Sequence, residues 1–159
     1  MIKFVLAGFV GCFFLVGGTV CQAAKWDKND FKDKSVEMAF YKADSIKVQG
    51  KIINLTEKYI LTRDGAKRAM QSLSKYPACK QSIDKKGGAA HYQHDYQIED
   101  GKARIAAIRF YNKDNEMLCT DKDMGKNAVD RSWKKIGRHS QMENIYYDLV
   151  TRYKIVVPK

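Results

Sequence analysis

The chain has 159 residues, with 29 Lys and Arg against 18 Asp and Glu, a formal net charge of +11, and 45% hydrophobic residues. That apolar fraction excludes a disordered polyelectrolyte, and the length allows one core and one domain rather than two. Two prolines, no low-complexity tract and no internal repeat leave nothing that reads as an interdomain linker.

Residues 1–24 read as a secretory signal peptide. Lys3 supplies the positive n-region, Phe4 to Val16 the apolar h-region, and Cys21-Gln22-Ala23-Ala24 a small-residue cleavage site, cut after Ala23 or Ala24. The alternative of a membrane anchor is disfavoured, because the apolar run is shorter than the ~20 residues of a spanning helix and Gly17, Gly18 and Thr19 dilute its end. Lipidation at Cys21 is disfavoured by the bulk of Val20 before it. Cleavage removes Lys3, Cys12 and Cys21, so the mature chain keeps a net charge of +10 and two cysteines, Cys79 and Cys119. In an oxidising compartment these form one disulfide, worth roughly 3 to 4 kcal/mol in the chain-entropy model. No C-x-x-C spacing is present to suggest redox or metal chemistry.

The expected organisation is a charged arm over 25–35 followed by a single α+β domain over 36–159. Within the arm (KWDKNDFKDK), Trp26 and Phe31 are the only apolar members, which favours a mobile segment over a strand unless both dock on a partner. Val36 to Tyr41 (VEMAFY) predicts a strand with Val36, Met38 and Phe40 on one face, and Asp44-Ser45 a turn. After a turn at Gln49-Gly50, Lys51 to Leu61 (KIINLTEKYIL) is rich in β-branched and aromatic residues and predicts a second strand.

From Thr62 to Tyr76 the period changes to that of a helix. Ala66, Ala69, Met70, Leu73 and Tyr76 share one face, Lys67, Arg68 and Lys75 the solvated one, and Pro77 ends the element. Lys80 to Gly88 predicts a polar loop pinned by the Cys79 bridge. Ala90 to Glu99 and Lys102 to Tyr111 predict a hairpin closed by Asp100-Gly101, a pair that tolerates the positive φ of a type I′ turn. A turn at Lys113-Asp114-Asn115 leads to a third meander strand, Glu116 to Thr120, which carries Cys119. Ser140 and Glu143 have capping-box spacing, and Met142, Ile145, Tyr146, Leu149, Val150 and Tyr153 follow as an amphipathic helix that should cover one face of the sheet. The fold class is therefore α+β: an antiparallel sheet of about five or six strands with a C-terminal helix on one face and an inserted helix.

Tyr41 to Ile46 (YKADSI), Gln97 to Leu118 (QIEDGKARIAAIRFYNKDNEML), Trp133 with Ile136 and the closing helix follow one another in an order that resembles the surface-adhesin protein E family of exported bacterial proteins. The resemblance implies an antiparallel sheet of about six strands with the last helix packed on it, and attachment to host matrix molecules. Members commonly tie hairpin to helix through a disulfide. This chain has no cysteine at either place, so by that resemblance Cys79 and Cys119 staple the inserted helix and its loop to the third meander strand.

Catalytic groups are sparse. His91 and His94 are three apart on a predicted strand and so point to opposite faces, which rules out a shared metal ion, although a helix would permit one. His139 reads as surface. Gly87-Gly88 lacks the Lys-Ser/Thr of a phosphate loop, no G-x-S-x-G elbow occurs, and the pairs Glu99-Asp100 and Asp121/Asp123 sit at turns. No metal, cofactor or catalytic set is assigned.

Charge remains. Arg131, Lys134, Lys135 and Arg138 flank Trp133 in RSWKKIGR, and such a cluster attracts sulfate or phosphate polyanions by counterion release while the Trp stacks on a sugar or base. The competing reading has Trp133 and Ile136 as buried anchors of a solvated loop. The expected function is that of an exported, non-enzymatic binding protein, adhesin-like, at the periplasm or cell surface, with a host matrix protein or sulfated glycan as partner. Nucleic acid ranks below both, and an exposed strand edge or the Trp26/Phe31 arm offers a route to a homodimer. The alternative is a periplasmic inhibitor or envelope-assembly factor that binds one specific protein.

Overall fold

A computed structural model of the protein describes residues 25–31 and 33–156; the expected signal peptide lies outside the described residues. The described chain is α+β. An antiparallel sheet runs in the order β1 (Trp26–Asn29), β2 (Val36–Lys42), β4 (Ile52–Leu61), β5 (His91–Glu99), β6 (Lys102–Tyr111) and β7 (Met117–Thr120), while β3 (Lys47–Gln49) pairs with β4 and β8 (Lys134–Lys135) with β6. Four helices, α1 (Arg63–Leu73), α2 (Pro77–Lys86), α3 (Asp121–Met124) and α4 (Gln141–Thr151), complete the described elements with a short 3-10 turn over Ala43–Ser45. None of these helices is long and apolar enough to cross a membrane.

The β4–β5–β6 centre follows from turn chemistry and alternation. Asp100 and Gly101 both take positive φ, 46° and 65°, as the type I′ hairpin requires. Ile53, Leu55, Glu57 and Tyr59 alternate inward along β4, facing Tyr96 and Ile98 of β5 and Ile145 and Leu149 of α4. A second cluster lies at the β7 end of the same face, where Leu73 of α1, Cys79 and Ile83 of α2, and Leu118 and Cys119 of β7 pack together. Cys79 and Cys119 are disulfide-bonded with their Cα atoms 5.0 Å apart, which joins the inserted helical segment to the third meander strand.

Four local expectations are corrected. The charged segment at 25–35 is not a mobile arm: Trp26–Asn29 pairs with β2 along the register Trp26↔Lys42 to Asn29↔Ala39. Its apolar members dock within the chain itself, Trp26 beneath the Lys58 ammonium at 5.5 Å and Phe31 edge-on to Tyr59 at 5.8 Å. Along β2 the register shifts between Val36 and Met38, so Glu37 is an extra residue; Val36, Ala39 and Tyr41 face the core, and Met38 and Phe40 pass to the other side. The polar loop expected at Lys80 to Gly88 is mostly helix α2, because Pro77 both stops α1 and starts α2, occupying the first helical position where its missing N–H leaves no bond unmade. Finally, the turn expected around Asp121 and Asp123 is the short helix α3, closed by a capping box between Thr120 and Asp123.

Candidate functional site

The middle of the basic segment is strand. Lys134 and Lys135 add a short strand to the hairpin edge, in register Lys102↔Lys135 and Ala103↔Lys134, and the Ile136 N–H donates to the Gly101 carbonyl at 2.9 Å. Strand alternation then divides the segment. Lys134 and Ile136 turn with Ala103 toward the helix-covered face. Trp133 and Lys135 turn with Arg104 and Lys102 toward the opposite face, where the Arg104 guanidinium lies 4.7 Å from the centre of the Trp133 ring.

The five residues expected to bind a polyanion thus have different fates. Arg131 is paired with Asp121, and Lys134 with Asp130 at 2.8 Å. Asp130 is correspondingly held well below the usual carboxylate range by its hydrogen bonds from Lys134 and Ser132. Trp133 is half-buried and carries the Arg104 cation, so it is neither a free stacking platform nor a core anchor; the half-buried Ile136 packs on the core. Lys135 and Arg138 are exposed. The sequence reading passed over Lys102 and Arg104, which reach the site through the hairpin register; Arg104 Nε is oriented by Gln97 Oε1 at 2.8 Å. Lys67 and Arg68 are exposed on α1 and Lys75 is exposed in the turn that follows it; all three lie outside this cluster.

Behind β8, on the helix side, the same segment lines an open cleft of about 250 Å³. Tyr96, Ala103, Ile105, Ile136 and Met142 supply apolar walls, and Lys134, Ser132 and Ser140 the mouth. Ser140 is the N-cap of α4, its hydroxyl accepting the Glu143 N–H at 3.1 Å. The reciprocal half of the capping box is displaced by one residue: Glu143 Oε2 accepts the N–H of His139, not of Ser140, at 2.5 Å. His139 is exposed and takes φ of 57°, a surface residue at a sharp entry to the helix.

A third feature went unread in the sequence. Glu57 is fully buried at an inward position of β4. Its carboxylate accepts hydrogen bonds from Asn29 Nδ2 at 2.5 Å, from the Tyr59 hydroxyl, and from Gln141 Nε2 at 3.4 Å. The chain continues from Tyr59 to the Tyr96 hydroxyl at 3.0 Å and on to His94 Nδ1 at 2.7 Å. With Glu57 ionised, each hydroxyl has one proton to give, so the protons run from His94 Nδ1–H through Tyr96 and Tyr59 to the carboxylate. Burial raises the Glu57 pKa to about 7, an effect only partly offset by its donors, and lowers His94 to about 4, which keeps the imidazole neutral. The network fastens β1, the centre of the sheet and the first turn of α4 to one another. It also forms the floor of a polar cavity of about 300 Å³ between β1 and α4.

His91 and His94 do face opposite sides of β5. His91 stacks on Tyr111 at 4.9 Å, while His94 lies among Tyr59, Tyr92 and Tyr96. Among the described residues no three His, Cys, Asp or Glu side chains converge as metal ligands do. Compared with known proteins, the chain matches no family model, no curated protein and no solved structure.

Proposed function

We propose that the mature chain is an exported, non-enzymatic binding module, adhesin-like in the sense the sequence resemblance implies, that takes a sulfated polyanion at the β6–β8 edge. The observation that carries this reading is the Lys102↔Lys135 pair: two exposed ammonium groups opposite one another across a strand, beside the Arg104–Trp133 stack. Like charges so placed repel and cost stability in the free protein, and a polyanion relieves that repulsion while releasing its own counterions. Export is supported by the leader-like sequence of residues 1–24 and by a disulfide between the two cysteines outside it.

The test is elution from immobilised heparin in a salt gradient. Changing Lys102 and Lys135 together to Ala should advance elution clearly, and changing Lys134 to Ala should do so less, because its ammonium is already paired with Asp130. Retention no greater than that of a control protein of equal net charge, or equal shifts for both variants, would overturn the reading.

A further inference from the structure

We propose that the cleft behind β8 is a binding site for the alkyl chain of a single-chain amphipathic anion, with the anionic head held at the mouth by Lys134. This goes beyond polyanion binding and uses the other side of the same strand.

The walls come from three separate elements. Tyr96 and Ile105 belong to the β5–β6 hairpin, Ile136 follows β8, and Met142 stands in the first turn of α4. Converging apolar side chains around a space of about 250 Å³ set this cleft apart from the cavity beside Glu57, whose lining carries Asn29, Asp30 and Asp148. At ~30 Å³ for each water-sized group, that space takes about eight methylene-sized groups. An apolar ligand entering it leaves water at a gain of roughly fourfold in affinity for each methylene buried. The mouth selects the head group. Lys134 opens onto it from β8, whose reverse carries Lys135 beside Lys102 and Arg104 of β6, while Ser140 offers its hydroxyl proton. Asp130, also at the mouth, is already engaged by Lys134 and by the Ser132 hydroxyl at 2.6 Å. A cationic head would compete with Lys134 for that carboxylate, whereas an anionic head adds a second partner to the ammonium. Asp130 balances the charge of Lys134, so the head group is selected by donors that an anion accepts, the remaining N–H groups of the ammonium and the Ser140 hydroxyl, while the interior matches a chain and not a sugar.

The probes are inorganic sulfate, octyl glucoside and a series of alkyl sulfates from butyl to dodecyl, each titrated below its micelle concentration and followed by calorimetry and by the fluorescence of the nearby Trp133. Affinity should climb with chain length up to about octyl and then level off as the space fills. Octyl sulfate should bind at least about tenfold more tightly than octyl glucoside or free sulfate. Lys134→Glu, an exposed change that leaves the core untouched, should erase the preference for sulfate over glucoside, and Met142→Trp should weaken every chain by filling the cleft. Neither substitution should abolish heparin retention, and the Lys102/Lys135 double variant should keep octyl sulfate binding, so failure of one site is read separately from failure of the other. A steady gain from octyl through dodecyl, or equal affinity for the neutral and anionic octyl compounds, would overturn the proposal.

Discussion

The side-chain amide of Asn29 reaches the buried carboxylate of Glu57 at 2.5 Å across an intervening strand. Ala39 pairs with Asn29 on one side and with Tyr59 on the other, and its small, fully buried side chain leaves the path clear. The edge strand β1 is therefore held by a charge-assisted bond to the middle of the sheet as well as by its own ladder. Asn29→Ala leaves the buried carboxylate short of a donor, and should cost about 1 to 3 kcal/mol in urea unfolding. Asn29→Asp sets two carboxyl groups against each other and should cost more. Equal stability of Asn29→Ala and the native chain contradicts the bond.

Glu57 also sets a pH dependence whose sign differs from the usual carboxylate. Burial raises its pKa from 4.5 to about 7, so between those values the folded protein keeps a proton that the unfolded chain has released. Its contribution to stability is full below the window and declines as pH rises through it. His91 and His94, both lowered to about 4 by burial, run in the opposite sense and lose stability as pH falls from 6.5. Glu57→Gln isolates the first effect. The variant should melt higher than the native protein at about pH 8, by an amount on the order of a few kcal/mol, and the gap should close toward about pH 5. A gap that does not change with pH rules out this ionisation.

What the sequence made legible was local. Asp100-Gly101 marks its hairpin because positive φ is needed at two adjacent residues, and Ser140 marks the start of α4 because its hydroxyl serves an N–H three residues on. The disulfide followed from reading residues 1–24 as a leader that would take Cys12 and Cys21 with it. The features missed depend on distant partners. Strand β1 has too few apolar residues to declare itself, and it exists because Asn29 meets Glu57, 28 residues away. Strand β8 spans two residues and shows no periodicity; it is made by backbone bonding to a hairpin laid down earlier in the chain. The Glu37 bulge moved Met38 and Phe40 to the other face, which no alternation rule anticipates. Glu57 was legible: it is the one charged residue among Ile53, Leu55 and Tyr59 at inward spacing, and that misfit was the available signal.

The Cys79–Cys119 bond closes a separation of 40 residues, and it ties α2 to β7 inside a cluster separate from the one beneath α4. Replacing both cysteines with Ser should cost about 4 kcal/mol by the loop-entropy relation. The loss should be regional. Hydrogen exchange should accelerate first in α1 and α2, whereas the amides of the β4–β5–β6 centre should hold longer. Uniform acceleration across the sheet contradicts two separable clusters.

Gly65 lies in the first turn of α1 with its Cα against the backbone of Ser35, and a Cβ built there would run into the Ser35 carbonyl oxygen. That closeness is enforced from both sides. The Thr62 N–H donates to the same Ser35 carbonyl at 3.0 Å, and the Thr62 hydroxyl donates to the Lys34 carbonyl at 3.0 Å while accepting the Gly65 N–H at 3.0 Å. The N-cap of α1 is thus also the clamp on the β1–β2 connection. Helix propensity alone favours Gly65→Ala by up to about 1 kcal/mol, whereas the clash asks the helix to retreat and both Thr62 contacts to lengthen. The clash should win, with a net loss of about 1 to 3 kcal/mol. Thr62→Ala removes the hydroxyl half of the clamp, leaves the N–H bond to Ser35 in place, and should lose about 1 kcal/mol alone. With the hydroxyl contacts gone only the backbone bond to Ser35 resists withdrawal of the helix, so the double variant should cost less than the two single losses added together. A stabilising Gly65→Ala, or strict additivity in that cycle, refutes the enforced contact.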